Sequence, residues 1–543
     1  MSCRPTGIAA TGIIAFCLFI LASTASAAGV TRAQDPDGLL DAQALAGRID
    51  YWLGVRQAAA RVKPAGLADD AEFIRRLYLD LSGCVPPVID ARDFFDDRRP
   101  DKRQIWVEML LDGRKPTRKP DAFTAHFTNV WRAWLLSRVD TERSAILGPD
   151  TEKWLQTRLK DDLPYDRLVR QLITERPTVQ PDNQRAARRF RRFRAGEVPS
   201  LFDQINESKP ETLAGTTSRL FLGIKLECAQ CHNDRSGGNW TQSEFWSFAA
   251  FFAAQRNQRN NQRTIAIPGK NEVVQARFLR GAEPTFNPGD NSREIIADWL
   301  VSPTNAYFAR AGANRIWSYF FGIGLVDPID EQGDHNLPTH PELLDELARQ
   351  FTDHHYDMKY LVRAIVASQA YQRTSTASSS TEVDPRLFSR MQVRGLSAEQ
   401  IFDSLAEVTE FENTSRSVSG RLNNGNGLPP RQQFVSRFSH QYKATETPTS
   451  ILQALYLMNS PFATDRTSLE HNNTLMTLAR QKTSHARRIE QLFLVVLSRK
   501  PTTTELNQCV AYLGRGGSSD DHGQALADVF WALINGAEFS VNH

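Results

Sequence analysis

The chain has 543 residues, of which 41% are hydrophobic and 23% charged, and its 65 basic and 62 acidic side chains leave a formal net charge of +3. These proportions exclude wholesale disorder, collagen and a disulfide-stapled miniprotein, and the near-balance of charge speaks against nucleic acid as the partner of the whole molecule. The length corresponds to roughly three or four domain-sized units, or two larger ones.

Residues 1–27 read as a secretory signal peptide: Arg4, an apolar run from Ile8 to Ala22, then Ala25-Ser26-Ala27 as the small-x-small cleavage pattern. The expected mature chain is exported, periplasmic or secreted, and no later segment is apolar enough to span a membrane. Of the six cysteines, Cys3 and Cys17 leave with the signal, and Cys84, Cys228, Cys231 and Cys509 remain. A helical domain is expected over 37–255, where Ile105, Trp106, Met109 and Leu110 give a short helical stripe. Within it, 178–199 is polar, and Arg185, Arg188, Arg189, Arg191, Arg192 and Arg194 alternate with Phe190 and Phe193, either as an electrostatic patch or as a solvated loop.

The linker, 256–290, holds one hairpin: Thr264-Ile265-Ala266-Ile267, a Pro268–Asn271 turn, then Val273-Val274. A second helical domain is expected over 291–543. Pro341 opens a helix over 342–351. Met358, Leu361, Val362, Ile365 and Val366 share one face, as do Ile489, Leu492, Phe493, Val496 and Leu497. Ser397 and Thr502 begin capping boxes. The fold expected is mostly α, two helical domains with a small β-hairpin insertion between them.

The one chemical constellation is Cys228-Ala229-Gln230-Cys231-His232. In c-type haem attachment two thiols form thioethers with the haem vinyl groups. A two-residue gap on a helical turn puts both sulfurs against one macrocycle edge, and the following histidine becomes the proximal iron ligand. Leu220, Phe221, Leu222, Ile224 and Leu226 just before it offer apolar surface for a porphyrin. The same pair also reads as a disulfide, or as two ligands of another metal with His232 as a third. For a distal ligand spacing does not separate His126, His335, His340 and His440, and the next methionines are Met358 and Met391. Asp327 and Asp330 follow Gly322-Ile323-Gly324 and read more simply as turn and cap residues than as an acid–base pair.

Several motifs carry a family resemblance. They are Phe73-Ile74-Arg75-Arg76-Leu77-Tyr78-Leu79-Asp80-Leu81-Ser82-Gly83 with Pro86, then Phe221-Leu222-Gly223 leading to Cys228–His232, then Trp240 and Phe251-Phe252. Further along come Ala297–Leu300, Asn314–Trp317, Gly322–Pro328, His340–Leu344, Leu396–Gln400, Gln453-Ala454-Leu455 with Asn459, Leu497-Ser498-Arg499, Glu538-Phe539 and Asn542-His543. In this order they resemble the exported planctomycete-type proteins that join a cytochrome-associated domain to a planctomycete-specific domain, the domains of unknown function fifteen-forty-nine and fifteen-fifty-three. The resemblance covers nearly all of the mature chain and implies no established activity. One departure stands out: the family motif continues His-x-His-Pro, whereas here His232 is followed by Asn233-Asp234-Arg235. If the second histidine helps hold a metal or haem, the site in this chain is altered.

The functional expectation is therefore an exported haem c protein with a redox or electron-transfer role, in which Cys228 and Cys231 anchor the haem and His232 is the proximal ligand. Its expected partner is a redox protein or a cell-envelope component. The alternative is an extracytoplasmic binding or scaffold module with the cysteines as a disulfide or metal site. No catalytic set emerges, so the sequence does not decide whether the protein is an enzyme.

Overall fold

The computed structural model describes residues 38–113, 121–175, 200–234, 238–253, 263–287, 289–376, 383–411, 430–438 and 465–543. Residues 1–27, expected to be a signal peptide, the arginine cluster, His440 and the Gln453–Asn459 motif lie outside them. Among the described residues the architecture is helical, with two small antiparallel strand pairs. Local signals set most helix starts. Asp41, Asp69, Asp140 and Asp357 cap helices Ala42–Ala59, Asp70–Leu81, Thr141–Lys160 and Met358–Ala367, each side chain accepting from a backbone N–H of the first turn. The capping boxes expected at Ser397 and Thr502 are both formed, and Pro341 begins the helix Pro341–Asp353.

The apolar stripes hold with two adjustments. Helix His485–Leu497 buries the five residues expected. Helix Lys102–Asp112 buries Trp106, Val107, Leu110 and Leu111, so its inner face is turned one residue past the expected stripe. Helix Met358–Ala367 buries Leu361, Val362, Ile365 and Val366 as expected and leaves Met358 half-buried, and it buries Tyr360 and Ala364 besides, because it is packed from more than one side.

The hairpin pairs Thr264–Ala266 with Val273–Gln275, Ile265 opposite Val274. An aromatic stack ties the segment after it into the core: Phe278 lies against Phe251 at 5.2 Å and against Trp299 at 5.0 Å. The larger apolar cluster runs from Leu40 to Met391 and takes residues from both sides of the hairpin, and a smaller one joins Leu79 and Val85 to residues between Leu396 and Phe539. Helix Asp70–Leu81 serves both, and its nine residues Phe73–Leu81 are all buried. The second strand pair, Arg394–Gly395 with Val541–Asn542, gave no sequence signal; it carries residues from the end of the chain to that helix.

Candidate functional site

The Cys228–His232 turn is fixed from both sides. Helix Pro210–Thr217 runs into a wider turn, Ser218–Leu222, that ends at Gly223. There the backbone is left-handed (φ 65°), and a Cβ would lie 2.7 Å from Gln332 Nε2, so the close approach needs glycine. Gln332 N–H donates to the Gly223 carbonyl at 2.7 Å. Leu220, Phe221, Leu222, Ile224 and Leu226 are all buried in the main core. The surface expected to meet a porphyrin is thus turned into the protein, where its burial stabilises the fold.

A 3-10 turn, Glu227–Gln230, follows. Cys228 on it is half-buried, Ala229 is buried beneath, and Cys231 and His232 are exposed. Helix Gln242–Ala249, started by the Thr241–Glu244 capping box, supports the turn. Gln242 Nε2 donates to the Gln230 and Cys231 carbonyls at 3.1 and 3.2 Å, and Trp246 Nε1 donates to Gln230 O at 3.0 Å. His232 Nδ1 donates to the Asn233 carbonyl at 2.8 Å, which leaves the Nε2 lone pair as the free one. None of the four described cysteines is in a disulfide, and no cluster of three or more His, Cys, Asp or Glu side chains with metal-holding geometry occurs among the described residues.

Asp234 stands two residues after His232, where the family pattern has its second histidine. It is buried and closes the next loop: its N–H donates to Trp240 O at 2.7 Å, and its Oδ2 accepts from Gly238 N at 3.2 Å. It also lines a small cavity of about 80 Å³ with Trp240, Glu331 and His335, room for a few waters rather than a macrocycle. Among the distal candidates, His126 is buried with Nε2 bonded to Tyr319, His340 is buried against Phe388, Met391 is in the core and Met358 packs on it. Of the five described candidates, three histidines and two methionines, His335 alone shares a cavity with the segment after His232. Asp330 is committed to Arg315 at 2.5 Å and Arg219 at 3.7 Å. Arg219 in turn approaches Glu227 beside Cys228 at 3.5 Å, and burial pushes its guanidinium down to about 10.

A second constellation, quoted above only as sequence motifs, is centred on Asp80. Its carboxylate is buried and accepts from Arg394 Nη2 (2.8 Å), Asn542 Nδ2 (2.8 Å) and Tyr371 OH (2.9 Å). Burial raises its pKa, against the pull of Arg394 and the Tyr371 hydrogen bond. Tyr319 OH donates to the Asp80 main-chain carbonyl at 2.7 Å, so the 2.6 Å bond to His126 Nε2 is donated by the imidazole. Burial lowers His126 to about 4 and keeps the ring neutral. Arg76 Nη1 caps the Tyr371 and Arg373 carbonyls, its Nη2 pairs with Glu72 at 2.6 Å, and Arg75 reaches the carbonyls of Val496, Glu538 and Phe539. The signal for this network was present in the sequence as two arginines and an aspartate inside an apolar helical run. Charges are buried in this way only when partners are supplied, and here, apart from Glu72 one helical turn before Arg76, the partners are some 300 to 460 residues away in the chain.

Family models match the chain over most of its length. The first, "Protein of unknown function (DUF1549)", or PSCyt2, covers residues 48–257, and the second, "Protein of unknown function (DUF1553)", or PSD1, covers 292–426 and 430–513. No curated protein and no solved structure matches it.

Proposed function

The chain belongs to the two-domain family that joins a DUF1549 domain to a DUF1553 domain, and on that footing we propose that it is an exported electron-relay protein carrying haem c on the Cys228–Cys231–His232 turn. The observation that carries this reading is the turn itself: a free thiol on the 3-10 turn, a second on the residue that ends it, then an exposed imidazole whose Nδ1–H is held by a backbone carbonyl. That tautomer offers Nε2 to a metal, and the Gln242 and Trp246 hydrogen bonds hold the turn in place. Cys228 and Cys231 would be the covalent anchors and His232 the proximal ligand; the group would supply one-electron redox chemistry. With the preceding apolar side chains buried in the core, the group would lie at the surface, a position suited to exchange of electrons with a partner rather than to activation of a small molecule. The test is production in a host that matures haem c, followed by a haem stain on a denaturing gel and a visible spectrum. Covalent haem lost in Cys228→Ser/Cys231→Ser is the expected result. A chain without haem from that host overturns it.

The inward-facing Leu220–Leu226 segment and the aspartate in place of the second histidine favour a second reading: a binding or scaffold module in which Cys228 and Cys231 form a disulfide or hold another metal. Thiol counting with and without reductant, together with metal analysis, decides between the two.

A further inference from the structure

A cavity of about 650 Å³ lies beside the Asp80 network, between helix Ala122–Leu135, helix Ala306–Phe321 and the segment 392–400. That volume is in the range of small-molecule sites. The formal charges on its wall are compensated. Arg394 faces Asp80 at 2.8 Å, Arg315 faces Asp330 at 2.5 Å, and Glu399 is paired with Arg132. Burial keeps His126 neutral. An ion entering this space meets no unbalanced charge to hold it.

Directional polar atoms remain. Arg315 Nε and Arg394 Nε are buried donors without a protein partner, and Asn542 Oδ1 is a buried acceptor without one. The orientation of the Asn542 amide is fixed, because its nitrogen must face the acceptor-only carboxylate of Asp80. An unmet buried polar atom costs roughly 1–3 kcal/mol, and these three belong to residues of the cavity wall. The half-buried amides of Asn129 and Gln392 add further donors and acceptors, and Trp134 supplies an aromatic wall. An uncharged wall with an aromatic face and an array of both donors and acceptors complements one kind of small molecule. It has apolar C–H faces and a rim of hydroxyls, each able to donate and accept. We propose that this cavity is a binding site for an uncharged polyhydroxylated ligand, a short neutral saccharide. The site is separate from the Cys228 turn, which does not line the cavity, so it stands or falls independently of the haem reading.

The test is titration of the full chain with cellobiose, maltose and N,N′-diacetylchitobiose, with glucosamine and glucuronic acid as charged comparators, followed by calorimetry and tryptophan fluorescence. At least one neutral disaccharide is expected to bind about tenfold or more tighter than either charged sugar. Trp134→Phe should abolish the fluorescence change. Ala133, exposed on the rim of the cavity, gives a variant that leaves the buried network alone: Ala133→Phe should keep the wild-type melting temperature and weaken binding about tenfold or more. Three results each overturn the proposal: no neutral saccharide binds the wild type, the charged sugars bind as tightly, or Ala133→Phe binds as well as the wild type.

Discussion

Gly83 and Asp80 are three residues apart in one motif and fail in different ways when changed. Gly83 is left-handed at φ 73°, and a Cβ there would lie 2.3 Å from His126 Nδ1, a ring itself pinned by Tyr319. Gly83→Ala therefore adds backbone strain to a steric clash and should lower stability by about 1–3 kcal/mol in a urea or thermal unfolding curve. An unchanged midpoint would mean that the imidazole is free to move aside. Asp80→Asn keeps the shape but leaves Arg394 as a buried cation without its counter-charge, for an expected loss of about 3–5 kcal/mol. Arg394→Met added to Asp80→Asn should recover part of that loss, since the uncompensated charge is then gone. A double variant as unstable as the sum of the two single ones would contradict the pairing. The sequence showed that Arg75, Arg76 and Asp80 sit in an apolar run. It did not show which groups would compensate them, because pairing at this range leaves no local pattern.

At the scale of elements, helix Gln242–Ala249 is the support on which the cysteine turn rests. Thr241→Ala removes its N-terminal cap and should cost about 1 kcal/mol. Gln242→Leu removes two hydrogen bonds to the turn while keeping a side chain of similar size. Its expected signature is faster amide hydrogen exchange over 228–234, with exchange in the distant helix His485–Leu497 unchanged. Uniform acceleration across the protein would show instead that the helix is a general stability element. Helix starts of this kind were legible from sequence, since a cap and its first turn are neighbours along the chain: Ser397, Thr502 and Pro341 all act where expected. The inward turn of Leu220–Leu226 was not legible, because an apolar run fits a protein core as well as a cofactor.

For the molecule as a whole, acid stability should depend on two buried histidines. His126 and His340 are both lowered to about 4 from an ordinary 6.5, chiefly by burial. The unfolded chain takes up their protons as the pH falls through 6.5, while the folded chain resists until about 4. Their stabilisation is thus complete above 6.5 and is lost progressively between 6.5 and 4, by up to about 3 kcal/mol for each ring. Asp80, raised by burial, works in the opposite sense on acidification and softens the slope. His340 has a buried Nε2 without a protein partner and packs on Phe388, so His340→Phe should be tolerated and should flatten the fall in melting temperature between pH 6.5 and 4. An unaltered slope would remove His340 from this account.

The sequence by itself determined the mostly helical character, the helix starts, the hairpin, the family and the position of the cysteine turn. Each of these depends on residues close together in the chain or on an ordered series of motifs. Only the tertiary structure decided that helix Asp70–Leu81 joins two cores, that the Val541–Asn542 strand returns to Asp80, and that Trp134, Arg315, Arg394 and Asn542 line one cavity. Those arrangements come from burying charged groups among partners hundreds of residues away, and in the chain itself such partners are too far apart to form a pattern.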